Sequence, residues 1–344
     1  MRNINIWTSY CIALVCLLSI PLVSLAQQPH DHEGDTVDPL VDPTLMTMLI
    51  PMAGDFAPVP DDPALDDGTV PAPVGVASYF EVTDDQKVGV ISPSYQFNDW
   101  LQAKVRVPYI FKRTYHYFGT DAEASGLGDI TVDAVYSRAV GAAGALLRLQ
   151  ASAKLPTGDD EKVDDDGYAT PLGSGTVDIL AKGQYARSTA KTGLLASVFY
   201  RKNGSNESIV EWIDPLDSAH IQTSTTTITA ASQFVASVFA RRQVSKKLWV
   251  HLGASGSVLG DGKSEYSLVD TQGPNTSSEN SLDQGGTLLD LFPGLSYSLG
   301  KISPYLGVRI PLATSWDNEF LPEERETAII LQFSYRPERL APNS

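Results

Sequence analysis

Cysteine is nearly absent from this chain of 344 residues. Its two cysteines, Cys11 and Cys16, both lie in the first 26 residues. This segment has the features of a secretory signal peptide: Arg2 gives a positive start, an apolar stretch follows, and the small-x-small tripeptide Ser24–Ala26 ends it. The sequence therefore predicts cleavage after Ala26 and a mature chain without cysteine. Such a chain has no disulfide framework and no thiolate chemistry, and it fits export through an oxidising compartment.

Long apolar runs and positive charge are also lacking. After the signal peptide no run of about 18 apolar residues occurs, so no helix is predicted to span a membrane. The chain has 25 basic and 41 acidic residues, a net charge of −16 that becomes −17 without Arg2. This sign is opposite to the one that nucleic-acid binding requires. A membrane protein of this composition would have to cross with strands.

From residue 74 to 336 the chain is a series of short alternating segments whose connections are short, then long, then short again. Outer-membrane β-barrels have this rhythm, because their periplasmic turns are tight and their outward loops are long. After the first hairpin, the long connections are 113–128, 157–175, 203–225, 261–284 and 315–325. The pattern predicts an all-β fold, one closed antiparallel transmembrane barrel of twelve strands, at 74–83, 88–97, 100–112, 129–139, 145–156, 176–187, 193–202, 226–241, 247–260, 285–298, 303–314 and 326–336.

Within these strands apolar and polar residues alternate with a period of two, which places them on opposite faces. In the segment 145–155, Leu147 and Leu149 share one face, whereas Arg148 and Lys154 share the other. In lipid the apolar face points outward and the polar face lines the lumen. The predicted strand length, about ten residues, suits a tilted membrane crossing. Seven aromatic residues fall near strand ends, as an interfacial girdle requires: Tyr109, Phe111, Tyr136, Tyr185, Tyr200, Tyr297 and Tyr335. A soluble β-sandwich is the alternative, because one strand alone cannot distinguish the two.

The remaining segments are predicted to lie outside the barrel. Residues 27–73 are rich in Pro and Asp and read as a periplasmic extension, in which Leu45–Ile50 could form a plug. Residues 337–344 form a C-terminal tail after the last strand.

Several motifs, taken in order, resemble one family of outer-membrane barrels. They are Ser94–Leu101 with Val107–Tyr109, Gly126–Ile130 with Tyr136, Leu155–Asp159, Leu172–Asp178 and Pro293–Tyr297. Over residues 75–336 the chain is similar to the MetA-pathway of phenol degradation family of transporters. The resemblance implies a barrel that admits small aromatic or hydrophobic compounds. The tail after Tyr335 departs from the usual end of such barrels at a terminal aromatic residue.

The inferred inner face carries both signs of charge. This lining could hold water and bias the passage of solutes, or its members could form ion pairs that fill a narrow lumen. The candidate lumen-lining residues are Lys104, Arg106, Asp133, Arg148, Lys154, Asp178, Lys182, His251, Asp290 and Arg309.

Other motifs point to no cofactor, metal or catalytic residue. The glycines of Gly126–Asp129 and Gly173–Gly175 are followed by strands and not by the helix of a phosphate loop. The acidic segment Asp159–Asp166 lacks EF-hand spacing, and His30–Glu33 is a weak metal clip in the predicted extension. No nucleophile elbow occurs, and His251 is predicted to face the lumen.

The function expected from the sequence is passive passage of small molecules through the outer membrane of a Gram-negative bacterium, without enzymatic chemistry. The expected partners are outer-membrane lipid and lipopolysaccharide, the barrel assembly machinery and a small-molecule solute. Two alternatives stay open: a non-conducting structural barrel, and an outer-membrane enzyme that modifies lipids.

Overall fold

Strands account for nearly all of the regular structure in the computed structural model. The structure describes residues 74–117, 120–140, 145–160, 162–164, 167–214, 217–282, 285–299, 301–316 and 325–335. The predicted signal peptide, extension, plug, His30–Glu33 clip and C-terminal tail lie outside these residues. The strands are β1 (Val74–Val82), β2 (Gln86–Gln96), β3 (Leu101–Tyr117), β4 (Thr120–Leu127), β5 (Ile130–Val140), β6 (Ala145–Leu155), β7 (Asp178–Ser188), β8 (Thr192–Lys202), β9 (Ser205–Asp214), β10 (Asp217–Thr229), β11 (Gln233–Gln243), β12 (Leu248–Leu259), β13 (Gly262–Asp270), β14 (Thr276–Leu282), β15 (Gly286–Tyr297), β16 (Ile302–Trp316) and β17 (Ala328–Tyr335).

Twelve of these strands form a closed antiparallel barrel. Their order around the wall is β1-β2-β3-β5-β6-β7-β8-β11-β12-β15-β16-β17, and β17 pairs with β1 to close the ring. Closure satisfies the backbone groups of both end strands, which is what a sheet in hydrocarbon needs. The predicted closed barrel of twelve strands is therefore confirmed. No helix in the part of the chain that the structure describes is long and apolar enough to cross a membrane.

The long connections differ from simple loops, because three of them contain strands beyond the barrel wall. β4 pairs with the extension of β3. β9 and β10 form one hairpin, β13 and β14 form another, and β10 pairs with β13 to make a separate four-stranded sheet. The predicted strand 226–241 joined the end of β10 to β11, whereas residues 230–232 separate them. The Thr-rich sequence at 223–229 has a high strand propensity, which suits the barrel wall and the four-stranded sheet equally. Strand propensity therefore could not show where one strand ends and the next begins.

We call the two ends of the barrel the loop end, where the long connections lie, and the turn end, where the short ones lie. At the turn end, residues 97–100, 189–191 and 244–247 join strands through tight turns. The hairpin at 83–85 is the one short connection at the loop end among the described residues. The alternation of short and long connections is thus present, with the first hairpin as the predicted exception.

The two faces of the wall differ in exposure as the period of two predicts. On β6, Leu149 is 50% exposed and Lys154 is 3% exposed. On β17, Ile329 and Tyr335 are exposed, whereas Ile330 and Gln332 are buried. Buried positions face the barrel interior and exposed ones face outward. Six of the seven aromatic residues predicted for the girdles are exposed on the outer wall, and Tyr136 is partly exposed beside Trp100.

Candidate functional site

The inner face of the barrel is divided into two arcs of different chemistry. One arc, formed by β3, β5, β6 and the loop end of β7, carries buried charged residues such as Arg106, Asp133 and Lys154. The other arc carries one apolar cluster. It covers nine strands that are neighbours around the wall, in the order β7-β8-β11-β12-β15-β16-β17-β1-β2. We call them the charged arc and the apolar arc. The sequence predicted the first and missed the second.

At the loop end of the charged arc, Lys154 lies between two carboxylates. Its Nζ is 2.7 Å from Asp178 Oδ2 and 3.4 Å from Asp129 Oδ2. Arg201, on β8, places Nη2 2.6 Å from the same Asp178 oxygen. The other Asp178 oxygen accepts hydrogen bonds from Thr176 Oγ1 and the Gly204 amide. These buried charges are thus paired and hydrogen-bonded, the condition under which burial of an ion is tolerated.

A second pair lies deeper along the charged arc. Arg106 Nη1 is 3.0 Å from Asp133 Oδ1, and Gln150 Nε2 donates to that oxygen at 3.1 Å. Both charged side chains are buried. β3 and β5 are neighbours, and their register puts Lys104 directly opposite Asp133. Arg106 and Gln150 therefore both donate to the same oxygen of one buried carboxylate.

Two further ion pairs interrupt the apolar arc. Arg309 Nη2 is 3.0 Å from Glu81 Oε1, and the same carboxylate accepts a hydrogen bond from the Tyr79 hydroxyl. Arg325 Nη1, from the segment before β17, is 2.8 Å from Asp290 Oδ1. Each of these inner-face charges thus has a partner on another segment, which ties the strands of the arc together.

Several aromatic rings of the apolar arc lie over glycines of neighbouring strands. The rings of Phe239 and Phe292 approach to 5.5 Å between centroids across β12. They can do so because Gly253 stands between them: a Cβ there would lie 2.0 Å from the Phe239 ring. Tyr305 likewise covers Gly294 on the adjacent strand. Phe292 is fully buried, so the cluster is tightly packed.

Near the turn end the interior contains a histidine with polar and aromatic neighbours. His251 Nε2 lies 2.7 Å from Ser296 Oγ, and its ring meets the Tyr305 ring edge-on at 5.3 Å. On the adjacent strand the Arg241 guanidinium lies 4.5 Å from the centre of the Trp249 ring, a cation–π geometry. His251 is buried in the wall, so it is not one of the lipid-facing residues. Among the described residues, no group of three His, Cys, Asp or Glu side chains is placed to hold a metal ion.

All ten sequence-predicted lining residues occupy inward-facing positions of the wall. Seven are buried, whereas Lys104, Arg148 and Lys182 are partly exposed. The structure brings Lys154 to Asp178 and Arg106 to Asp133, and it separates both pairs from His251. The role of these residues in lining a solute path stays a prediction.

Sequence reasoning missed Glu81, Arg201 and Arg325, which complete the ion pairs, and it missed the apolar arc. The signal for that arc was present where alternation fails. In β8, Leu194 and Leu195 are both apolar, as are Phe199 and Tyr200, and one of each pair is buried. A strand that is apolar on both faces indicates an apolar neighbour on each side.

No protein-family model and no curated protein matches this sequence. Among solved structures, the chain is similar to an outer membrane channel from Pseudomonas putida F1, with a TM-score of 0.54 and 14% identity over 83% of this chain and 99% of that one. A NanC porin gives a TM-score of 0.42 and 8% identity over 77% and 100% of the two chains. A mutant of TodX, a monoaromatic hydrocarbon channel, gives 0.35 and 9% over 76% and 89%. The last two likenesses are too low to support a conclusion. The first, together with the closed barrel, shows that this chain has the fold of an outer-membrane β-barrel.

Proposed function

We propose that this protein is a channel in the outer membrane of a Gram-negative bacterium through which small molecules pass down their concentration gradient. The observation that carries the proposal is the division of the barrel interior into a charged arc and an apolar arc. Such a path suits solutes that have a polar group and an apolar, including aromatic, body. Polar groups that fix orientation within a largely apolar lining are the usual make-up of small-molecule sites.

Placement in the outer membrane is supported by the outward-facing apolar side chains and by the exposed aromatic residues at both strand ends. In this placement the chain is exported with its signal peptide removed after Ala26 and is inserted by the barrel assembly machinery. The loop end lies among lipopolysaccharide and the turn end faces the periplasm. The proposed process is passive transport, so no catalytic residue or cofactor is assigned.

A phenol-pathway compound is the finer form of the proposal. It is supported by the sequence resemblance and by the aromatic rings of the apolar arc, such as Phe199 and Phe292. Flat aromatic solutes can stack on such rings or meet them edge-on.

Reconstitution of the purified protein in vesicles tests the channel. We expect ion conductance and solute swelling above those of protein-free vesicles, and faster swelling with benzoate than with a sugar of similar size. Phe199→Ala removes a buried ring from the apolar arc and should raise conductance. Val198→Ala, at the next position but facing outward, is the matched control and should leave conductance unchanged.

A second candidate is a non-conducting structural barrel. It is favoured by one observation: Tyr79, Leu195, Phe292 and Ile330 are all fully buried, so the apolar arc is densely packed. Vesicles in which neither the wild type nor Phe199→Ala conducts ions or admits solute would support this candidate and exclude the channel. Because Phe199→Ala could fail to fold, Leu195→Ala gives a second inward truncation of the same arc.

A further inference from the structure

The outer surface of the barrel has a groove near the turn end, at the level where Arg241 and His251 lie in the wall. It lies across β7, β8, β11 and β12 and has a volume of about 550 Å³. Its exposed lining combines two arginines, Arg187 and Arg242, with the apolar side chains of Leu194, Val250 and Leu252. This volume falls within the usual range of small-ligand sites.

The strand register explains how charge and apolar surface meet in this groove. Arg187 pairs with Leu194 on β8, which pairs in turn with Ala240 on β11. Arg242 pairs with Thr192, two residues closer to the turn end than Leu194. The two arginines therefore lie two strands apart, about 10 Å across the sheet, on either side of β8. A ligand between them would meet both guanidinium groups and rest on Leu194.

Both arginines are exposed, and neither makes an ion pair with another described residue. Each is the second-last residue of its strand. An arginine on the lipid face costs little at the membrane interface and several kcal/mol at the midplane, about 2–4 kcal/mol. The ends of β7 and β11 are thus where a guanidinium can stay on the outer face and reach a headgroup.

The turn end as a whole is basic, although the chain is acidic. The turns beside the groove present Lys191, Lys246 and Lys247, all exposed. Asp99, in the turn between β2 and β3, is the one acidic residue in the described part of all the turn-end connections. The positive field of the turn end therefore attracts anions to this end of the barrel.

We propose that this groove binds the headgroup of an anionic phospholipid of the periplasmic leaflet, an inference that rests on the proposed placement in the membrane. The phosphate is held by Arg187 and Arg242, because a guanidinium forms short, paired hydrogen bonds with phosphate oxygens. Leu194, Val250 and Leu252 contact the first part of the acyl chains. The net negative charge of the lipid matches the basic turns.

Native mass spectrometry of the detergent-purified protein tests this site without any need for conductance. The probes are phosphatidylglycerol, zwitterionic phosphatidylcholine and inorganic phosphate, each titrated separately. We expect phosphatidylglycerol to bind about tenfold more tightly than phosphatidylcholine, and inorganic phosphate not to be retained, since it lacks the chains that the apolar side of the groove contacts. In the double variant Arg187→Gln/Arg242→Gln this preference should disappear.

Arg138→Gln is the matched control. Arg138 is also an exposed arginine near the turn end of its strand, β5, but it lies outside the groove. This variant should keep the tenfold preference. Equal binding of the two lipids by the wild type, or an equal loss in the double variant and in Arg138→Gln, would overturn the site and leave the channel proposal untouched. Retention of inorganic phosphate as strong as that of the lipid would overturn the assignment to phospholipid.

Discussion

A single buried carboxylate joins three of the sequence motifs. Asp129, in Gly126–Ile130, accepts hydrogen bonds from the amide of Gly158, in Leu155–Asp159. It also accepts them from the amide and hydroxyl of Ser174, in Leu172–Asp178. Gly173 must be a glycine, because a Cβ there would lie 2.6 Å from the Asp129 carboxylate. Asp129 thus fastens the long connection after β6 to the rim of the barrel.

Replacing Asp129 with alanine should release this connection. The change leaves the buried Gly158 amide and the partly buried Ser174 amide without their acceptor. An unsatisfied buried group costs about 1–3 kcal/mol. We expect trypsin to cleave after Lys162, within the connection, several-fold faster than in the wild type, as followed by intact-mass measurement. Asp159→Ala is the control, because Asp159 is an exposed acid of the same connection. Equal cleavage rates in the two variants would contradict the role of Asp129.

At this scale the sequence predicts the face of a residue but not its partner. The period of two predicted that Lys154 and Asp178 face the barrel interior, because alternate residues of a strand always share a face. Their pairing depends on the register of β6 against β7, which sets Lys154 opposite Asp178. Arg201 reaches the same carboxylate from β8, and no sequence spacing encodes that contact. Gly175 has a φ of 64°, in the left-handed region that favours glycine.

On the scale of the strand, β12 shows how small residues allow large ones to pack inside the wall. Gly253 has Phe239 on one neighbouring strand and Phe292 on the other. Without a side chain at Gly253, the two rings meet over its backbone. The packing of the apolar arc therefore depends on a residue that contributes no apolar surface.

Gly253→Ala should destabilise the barrel, because the new methyl group would overlap the Phe239 ring and force it from its position. Overpacking of this kind costs about 1–3 kcal/mol. Gly256→Ala, on the same strand, is the control: its nearest neighbour, the Leu288 carbonyl oxygen, lies 4.0 Å from the added Cβ. Denaturant unfolding in detergent micelles, followed by tryptophan fluorescence, should show a lower midpoint for Gly253→Ala alone. Equal midpoints would show that the ring can move without cost.

Strands of the barrel were predictable from sequence and the strands beyond it were not, for a physical reason. In a strand between lipid and lumen, apolar and polar residues must alternate, or both faces must be apolar where the lumen is apolar. Such a strand must also be about ten residues long. β9, β10, β13 and β14 have no such constraint. Their pairing holds exposed charges such as Lys263, which lies 2.5 Å from Glu265 and 3.2 Å from Glu279. These hydrogen bonds raise the pKa of Lys263. The four strands are so polar that their sequence resembles that of an irregular loop.

For the molecule as a whole, charge is distributed along the barrel axis. The loop end carries exposed acids, including Asp159 and Glu279, whereas the turn end carries Lys191, Lys246 and Lys247. In the proposed orientation the basic end faces the periplasmic phospholipid leaflet. A charge asymmetry of this kind is a property of the assembled barrel, since the connections that carry these residues are far apart in sequence.

The absence of cysteine from the predicted mature chain makes this orientation directly measurable. A single cysteine is placed either in β14, as Ser277→Cys, or in the turn after β11, as Lys246→Cys; both positions are exposed. Intact cells are then treated with a maleimide that does not cross the outer membrane. We expect labelling of Ser277→Cys in intact cells and labelling of Lys246→Cys only after the outer membrane is permeabilised, because the long connections face outward in such barrels. The wild type, treated in parallel, should stay unlabelled and so verifies removal of Cys11 and Cys16. The reverse pattern would show that the barrel has the opposite orientation in the membrane. The groove around Arg187 and Arg242 would then lie in the outer leaflet and not in the periplasmic one.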